Sequence, residues 1–213
     1  MDDKKYPERK SHRLKYYDYS RCGAYFITIC TYKRQKLFGE INFDENGKIL
    51  SIQNTEKYPN GHTVGADSIS ARMVTDVYYE LIGKYDGYGS LGFVVMPDHV
   101  HFVVSITRAD MESAPTGESG TRADIESAPT GESGTQANIE SSRPSIPEFV
   151  QEFKRYTTIK FINLVKQNVL PPFKKHVWQR GYYDHVIRDH DDLLECRKYI
   201  KNNPAKRLYE MNV

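Results

Sequence analysis

TRADMESAPTGESG at 107–120 returns almost unchanged as TRADIESAPTGESG at 121–134, and TQANIESS at 135–142 opens a decayed third copy. A 14-residue period is shorter than the usual helical solenoid unit, and each copy offers a single Met or Ile to bury. Gly, Ser, Thr, Pro and Glu make up most of the rest, so ordering the segment costs more chain entropy than burial returns. Residues 107–144 are therefore expected to form a disordered, acidic insertion. Any packed fold has to be assembled from residues 1–106 and 145–213 as two parts of one domain.

Charge divides along the same lines. The 213 residues carry a net charge of +2, yet residues 107–144 alone contribute −4, which leaves +6 for the remainder. Residues 1–36 have ten Lys and Arg against four acids, and residues 148–209 have thirteen against seven. Most of the 16 tyrosines lie in these two basic regions. Cations interleaved with aromatics suit a phosphate backbone and unstacked bases, although a solvated charged surface has similar counts. No stretch approaches the ~20 apolar residues of a membrane span, and the basic start lacks the apolar core of a signal peptide. Cys22, Cys30 and Cys196 are too scattered for a disulfide framework or a thiolate zinc site, so the expected setting is a reducing cytoplasm.

Periodicity then sets the elements. AYFITICTY (24–32) reads as a central strand, and GEINFDENGKILSI (39–52) as a hairpin turning at Asn46-Gly47. ADSISARMVTDVYYELIGKY (66–85) repeats its apolar residues at helical spacing, with Asp67 or Ser68 as cap. SLGFVVMP (90–97) and HVHFVVSI (99–106) are strands separated by Pro97-Asp98. A helix over 145–166 opens with a Ser145/Glu148 capping box, its stripe running through Phe149, Phe153 and Tyr156. HVWQRGYYDHVIR (176–188) reads as a short strand plus loop, and a last helix runs from Asp189 or His190 to a stop at Pro204. Its apolar stripe is Leu193, Cys196 and Ile200. The order predicts an α+β domain, a ferredoxin-like antiparallel sheet with helices packed on one face.

Two places could carry chemistry. On a strand, His99 and His101 leave one face together while Val100 and Phe102 face the other way. Such a pair can hold a divalent metal, or it can simply line the wet side of a sheet. On the last helix Tyr199 and Asn203 stand one turn apart, either as a core-edge tyrosine with a helix-ending Asn, or as a nucleophile beside an amide ligand. Two imidazoles and an amide oxygen allow Mg²⁺ or Mn²⁺ and favour Mn²⁺ on softness. A free phenol ionises only near ~10, so cationic surroundings would be needed to make it a nucleophile. Asp98 is expected to be a turn residue facing away from the histidines, and His185 a structural or supporting group. Cys30 is expected to be a buried small hydrophobe and Trp178 a core anchor. Tyr182 and Tyr183 are rival nucleophiles.

Three segments in order, RKSHRLKYYDYSRCGAYFITICTYKRQKLFG, VVMPDHVHFVV and VWQRGYYDHVIRDHDDLLECRKYIKNNPAKRL, resemble the single-tyrosine HUH transposases of insertion sequences. The resemblance is strongest to the REP-associated tyrosine transposases. It implies that His99, His101 and Asn203 hold Mg²⁺ or Mn²⁺, and that Tyr199 is the nucleophile. It further implies cleavage and strand transfer of single-stranded DNA through a 5′-phosphotyrosine, at sites flanked by hairpins such as REP-like palindromes. Arg9, Lys10, Arg13 and Lys15, with Lys154, Arg155 and Lys160 on the 145–166 helix, are the expected DNA contacts. The resemblance allows a monomer or a homodimer and no membrane partner. Two other functions are possible. One is a domesticated DNA-binding protein without turnover. The other is a two-histidine phosphoesterase, which wants a second His-x-Thr or His-x-Ser motif that this chain lacks.

Overall fold

A computed structural model describes residue 14 and residues 16–39, 68–107 and 143–211, with backbone alone at 205 and 207–211. The expected hairpin beyond Gly39, the repeats beyond Thr107 and the cations Arg9, Lys10, Arg13 and Lys15 lie outside the described residues. In chain order the elements are β1 (Gly23–Cys30), α1 (Ile69–Lys84), β2 (Tyr88–Met96), β3 (His99–Ile106), α2 (Ile146–Lys166), β4 (Tyr183–Ile187) and α3 (His190–Met211). The strands form one four-stranded sheet in the order β2-β3-β1-β4, with each adjacent pair antiparallel. That order, with α1 and α2 as the crossovers, is the ferredoxin-like arrangement expected from the element sequence.

Strand alternation divides the side chains between two surfaces. Tyr25, Ile27 and Ile29 of β1, Phe93 and Val95 of β2, and Val100, Phe102 and Val104 of β3 enter the main core with α1 and α2. There Tyr78 of α1 stacks on Phe93 with ring centroids 4.3 Å apart, and Phe153 of α2 meets Phe102 at 5.8 Å. The opposite face carries a smaller cluster of Phe26, Val94, Met96 and Val103, closed by Ile200 of α3. Helices thus pack on one face as expected for α1 and α2, while α3 crosses the other. The helix passes close over Gly92, where a Cβ would lie 3.3 Å from Ile200 Cδ1.

Local signals explain the helix starts. The Ser68 side chain accepts from the Ala71 N–H at 3.1 Å and caps α1. The Ser145 N–H donates to Glu148 Oε2 at 2.7 Å at the head of α2, where Pro147 is tolerated. The stripe of α2 departs from the apolar reading: Thr157 and Phe161 are buried, whereas Ile159 is 46% exposed. Thr157 fits the core because its hydroxyl donates to the Phe153 carbonyl at 2.6 Å and accepts from Trp178 Nε1–H at 2.8 Å. Trp178 is a core anchor, as expected. Pro204 does not end α3, which continues to Met211. A proline removes one hydrogen bond of the ladder, here the one to the Ile200 carbonyl, and the turn before it is held by Ile200 against the sheet. No helix among the described residues is long and apolar enough to cross a membrane.

Candidate functional site

The α3 face of the sheet opens into a cleft of about 1000 Å³, whose lining includes His99, His101, Tyr199 and Asn203. Four residues singled out in two separate segments therefore share one space. His101 and Tyr199 meet edge to face with centroids 5.2 Å apart, and His99 and His101 do so at 4.6 Å. Phe26 supports both partners, stacking on His101 at 5.5 Å and meeting the Tyr199 ring at 5.7 Å. Tyr199 lines the cleft and remains 45% exposed.

Pairing in the sheet orients the imidazoles. Thr28 of β1 lies directly across from His101, and its Oγ1 is 2.8 Å from His101 Nδ1. His101 Nε2 is buried with no hydrogen-bond partner. Burial, reinforced by His99 and Arg34, pushes His101 down to about 3, so the ring is neutral near pH 7 and Nε2 is free to be a lone-pair donor. With Nε2 in that role, Nδ1–H donates to Thr28. His99 Nδ1 lies 2.6 Å from Asp98 Oδ1, a carboxylate–imidazole contact that reserves Nε2 for a metal. Both rings thus have the outer hydrogen bond typical of metal-ligating histidines, and the orphaned Nε2 fits a cation. With the Asn203 amide, this donor set suits Mn²⁺ or Mg²⁺.

Asp98 is a correction to the sequence expectation. It does occupy the turn between β2 and β3, but its side chain lines the cleft and holds His99 instead of facing away. Alternation along a strand does not extend into a turn, where the backbone sets its own direction. Arg34 approaches the other carboxylate oxygen at 3.5 Å. It closes a short 3-10 turn, Tyr32–Arg34, in which Lys33 and Arg34 have φ of 53° and 55°. Two non-glycine residues in the left-handed region cost roughly 1 kcal/mol or more each. The turn is tied down by buried Thr31, whose N–H and hydroxyl both donate to the Asp98 carbonyl at 2.9 and 3.0 Å.

A second set of donors lies further along the cleft. His185 of β4 and Asp192 and Cys196 of α3 bring one ligand atom each within 4.8 Å of one another and could coordinate a divalent ion. The hydrogen bond from His185 holds the Asp192 carboxyl below its ordinary range, and burial with the nearby carboxylate pushes the Cys196 thiol up to about 11. Cys30, half-buried, also lines the cleft rather than the core. Of the rival tyrosines, Tyr183 lines the cleft, whereas Tyr182 packs against the main core.

The cations of α2 do not line the cleft. The Lys154 ammonium donates to the carbonyls of Gln179, Arg180 and Gly181 at 2.9–3.2 Å. Lys160 pairs with Glu80 at 2.8 Å, and Arg155 lies 4.5 Å from the Tyr156 ring centre. Among the described residues, Arg34 and Lys206 are the cationic side chains that line the cleft. Neither stood out in the sequence, and only the placement of β1 and α3 reveals them.

No protein-family model matches the chain. An uncharacterised Haemophilus influenzae protein is 26% identical over 92% of this chain and 88% of its own length. Among solved structures, a REP-associated tyrosine transposase bound to a REP hairpin overlaps 93% of this chain and 74% of that one, with TM-score 0.48 and 15% identity. A Deinococcus radiodurans R1 protein named as a transposase candidate overlaps 89% and 95%, with TM-score 0.40 and 15% identity.

Proposed function

We propose that this chain is a metal-dependent, single-tyrosine HUH transposase that cleaves and rejoins single-stranded DNA at hairpin-flanked sites. The observation that carries the reading is the orphaned, buried Nε2 of His101 in the cleft that Tyr199 also lines, with the two rings 5.2 Å apart. His99, His101 and Asn203 are the residues to hold Mg²⁺ or Mn²⁺, which when bound polarises the scissile phosphate and stabilises charge on its oxygens. Tyr199 attacks the phosphorus, forming a 5′-phosphotyrosine and releasing a 3′-hydroxyl. A 3′-hydroxyl reverses the step, so the phosphodiester energy is kept in the protein–DNA bond and no water or nucleotide is consumed. Thr28 and Asp98 fix the two imidazoles, and Phe26 limits the swing of the tyrosine ring. Arg34 and Lys206 offer positive charge to the DNA backbone, alongside the basic N-terminal residues Arg9, Lys10, Arg13 and Lys15.

Labelled hairpin DNA with a single-stranded flank, incubated with Mn²⁺ and run on a denaturing gel, tests the reading. A covalent adduct is expected from the parent and from Tyr183→Phe, and none from Tyr199→Phe or in chelator. An adduct that persists in Tyr199→Phe overturns the nucleophile assignment. Deleting residues 107–144 with a short bridging linker should leave the adduct yield unchanged, since the insertion is proposed to have no part in the site.

A further inference from the structure

One face of α3 carries two chemical stations. Tyr199 and Asn203 stand opposite the β3 histidines, while Asp192 and Cys196, two turns and one turn earlier, stand opposite His185 of β4. We propose that His185, Asp192 and Cys196 form a second cation site, selective for a thiophilic divalent ion of the zinc class, that fastens the helix bearing Tyr199 to its own sheet. It is separate from the histidine pair of β3 and does not depend on the tyrosine reading.

The geometry supports a tetrahedral ion. Zinc bonds of ~2.0–2.1 Å to nitrogen or oxygen and ~2.3 Å to sulfur place neighbouring ligand atoms roughly 3.3–3.6 Å apart. Here His185 Nε2 is 2.9 Å from both Asp192 oxygens, and Cys196 Sγ is 3.8 Å from Asp192 Oδ1, distances that bracket this range. Small rotations would admit the ion. The Asp192 carboxylate is already aimed, because Oδ2 accepts from the Arg188 N–H at 3.0 Å. An imidazole–carboxylate pair and the Cys196 S–H contact to Asp192 gather the three side chains, and they are the donor set a tetrahedral cation needs. Three protein ligands leave a fourth position open to the cleft, for water or a DNA phosphate oxygen. Coordination releases the thiol proton to solvent, leaving a thiolate, and the soft sulfur discriminates against Mg²⁺ and Mn²⁺. Since His185 belongs to β4 and the other two ligands to α3, the bound ion ties strand and helix together.

Cobalt(II) reports thiolate ligation by a charge-transfer band, so the test is a Co²⁺ titration of the reduced full-length chain. It is run in a His99→Ala/His101→Ala background so that the first station contributes nothing. The band should saturate at one ion per chain and be displaced by Zn²⁺. It should vanish in Cys196→Ser, weaken at least tenfold in affinity in Asp192→Asn, and persist in Cys30→Ser and Cys22→Ser. Unchanged circular dichroism of Cys196→Ser shows that the variant is folded; a Cys196→Ala variant serves if it is not. Zn²⁺ should slow amide exchange over residues 190–200 in the parent and not in the Cys196 variant. No band, a band that survives loss of Cys196, or a band lost with Cys30 overturns the site. Binding without slower exchange overturns the fastening.

Discussion

The two faces of the sheet are built from the same strands and behave differently. Toward α1 and α2, β3 presents Val100, Phe102 and Val104 to a dry aromatic core. Toward α3 it presents His99, His101 and Val103, and β1 presents Phe26, Thr28 and Cys30. One face is covered by two long helices, the other by a single helix anchored through Ile200, which leaves a cleft beside it. A period of two lets each strand contribute to stability on one side and hold reactive groups on the other. Mutations at adjacent positions should therefore produce unlike phenotypes.

The largest expected contrast is at the cleft. Tyr199→Phe or His101→Ala should reduce adduct formation by orders of magnitude while the urea midpoint moves little, and a matching loss of stability would erase the distinction between faces. On the other side, Phe102→Ala should cost about 3–5 kcal/mol in urea unfolding through the cavity it leaves. Next in size is Thr28→Val, which removes the hydrogen-bond partner of His101 Nδ1. It should weaken Mn²⁺ binding by roughly 10–100-fold, read by calorimetry, and change stability by less than about 1 kcal/mol.

A pH effect should separate the faces in chelator. His101 titrates near 3 when folded and near its ordinary 6.5 when unfolded, so between these values the unfolded chain binds more protons. Its contribution is complete above about pH 6.5 and is lost as pH falls toward 3. His101→Gln should flatten that part of the stability profile, and an unchanged slope would show that burial of this ring does not set it. Smallest is the charge test. Lys206→Gln should lower the salt dependence of DNA binding by about 0.7 in log–log slope. Lys154→Gln, which removes a donor to the 179–181 carbonyls, should leave that slope unchanged and cost roughly 1 kcal/mol of stability.

Local pattern was a good guide wherever the physics was local. The β3 limits His99–Ile106, the Ser68 cap and the Ser145–Glu148 contact follow from alternation and capping chemistry within a few residues. It was a poor guide where a distant partner changes what a residue is. Thr157 looks like an interruption of an apolar stripe until Trp178 donates to it. Pro204 looks like a stop until Ile200 holds the preceding turn against the sheet. Lys154 has its ammonium among the 179–181 carbonyls, a setting that no local pattern shows.

By itself the sequence determined that two imidazoles leave one face of β3, and that Tyr199 and Asn203 share one face of the last helix, because strand and helix periods are properties of the backbone. Only the tertiary structure decided that these faces meet across one cleft. It alone placed Thr28 behind one imidazole and Asp98 behind the other, and brought His185 of β4 to Asp192 and Cys196 of α3. The Thr28 and His185 contacts join separate elements, and the Asp98 contact depends on how the turn before β3 is held, so their geometry rests on strand order and helix packing rather than on local pattern.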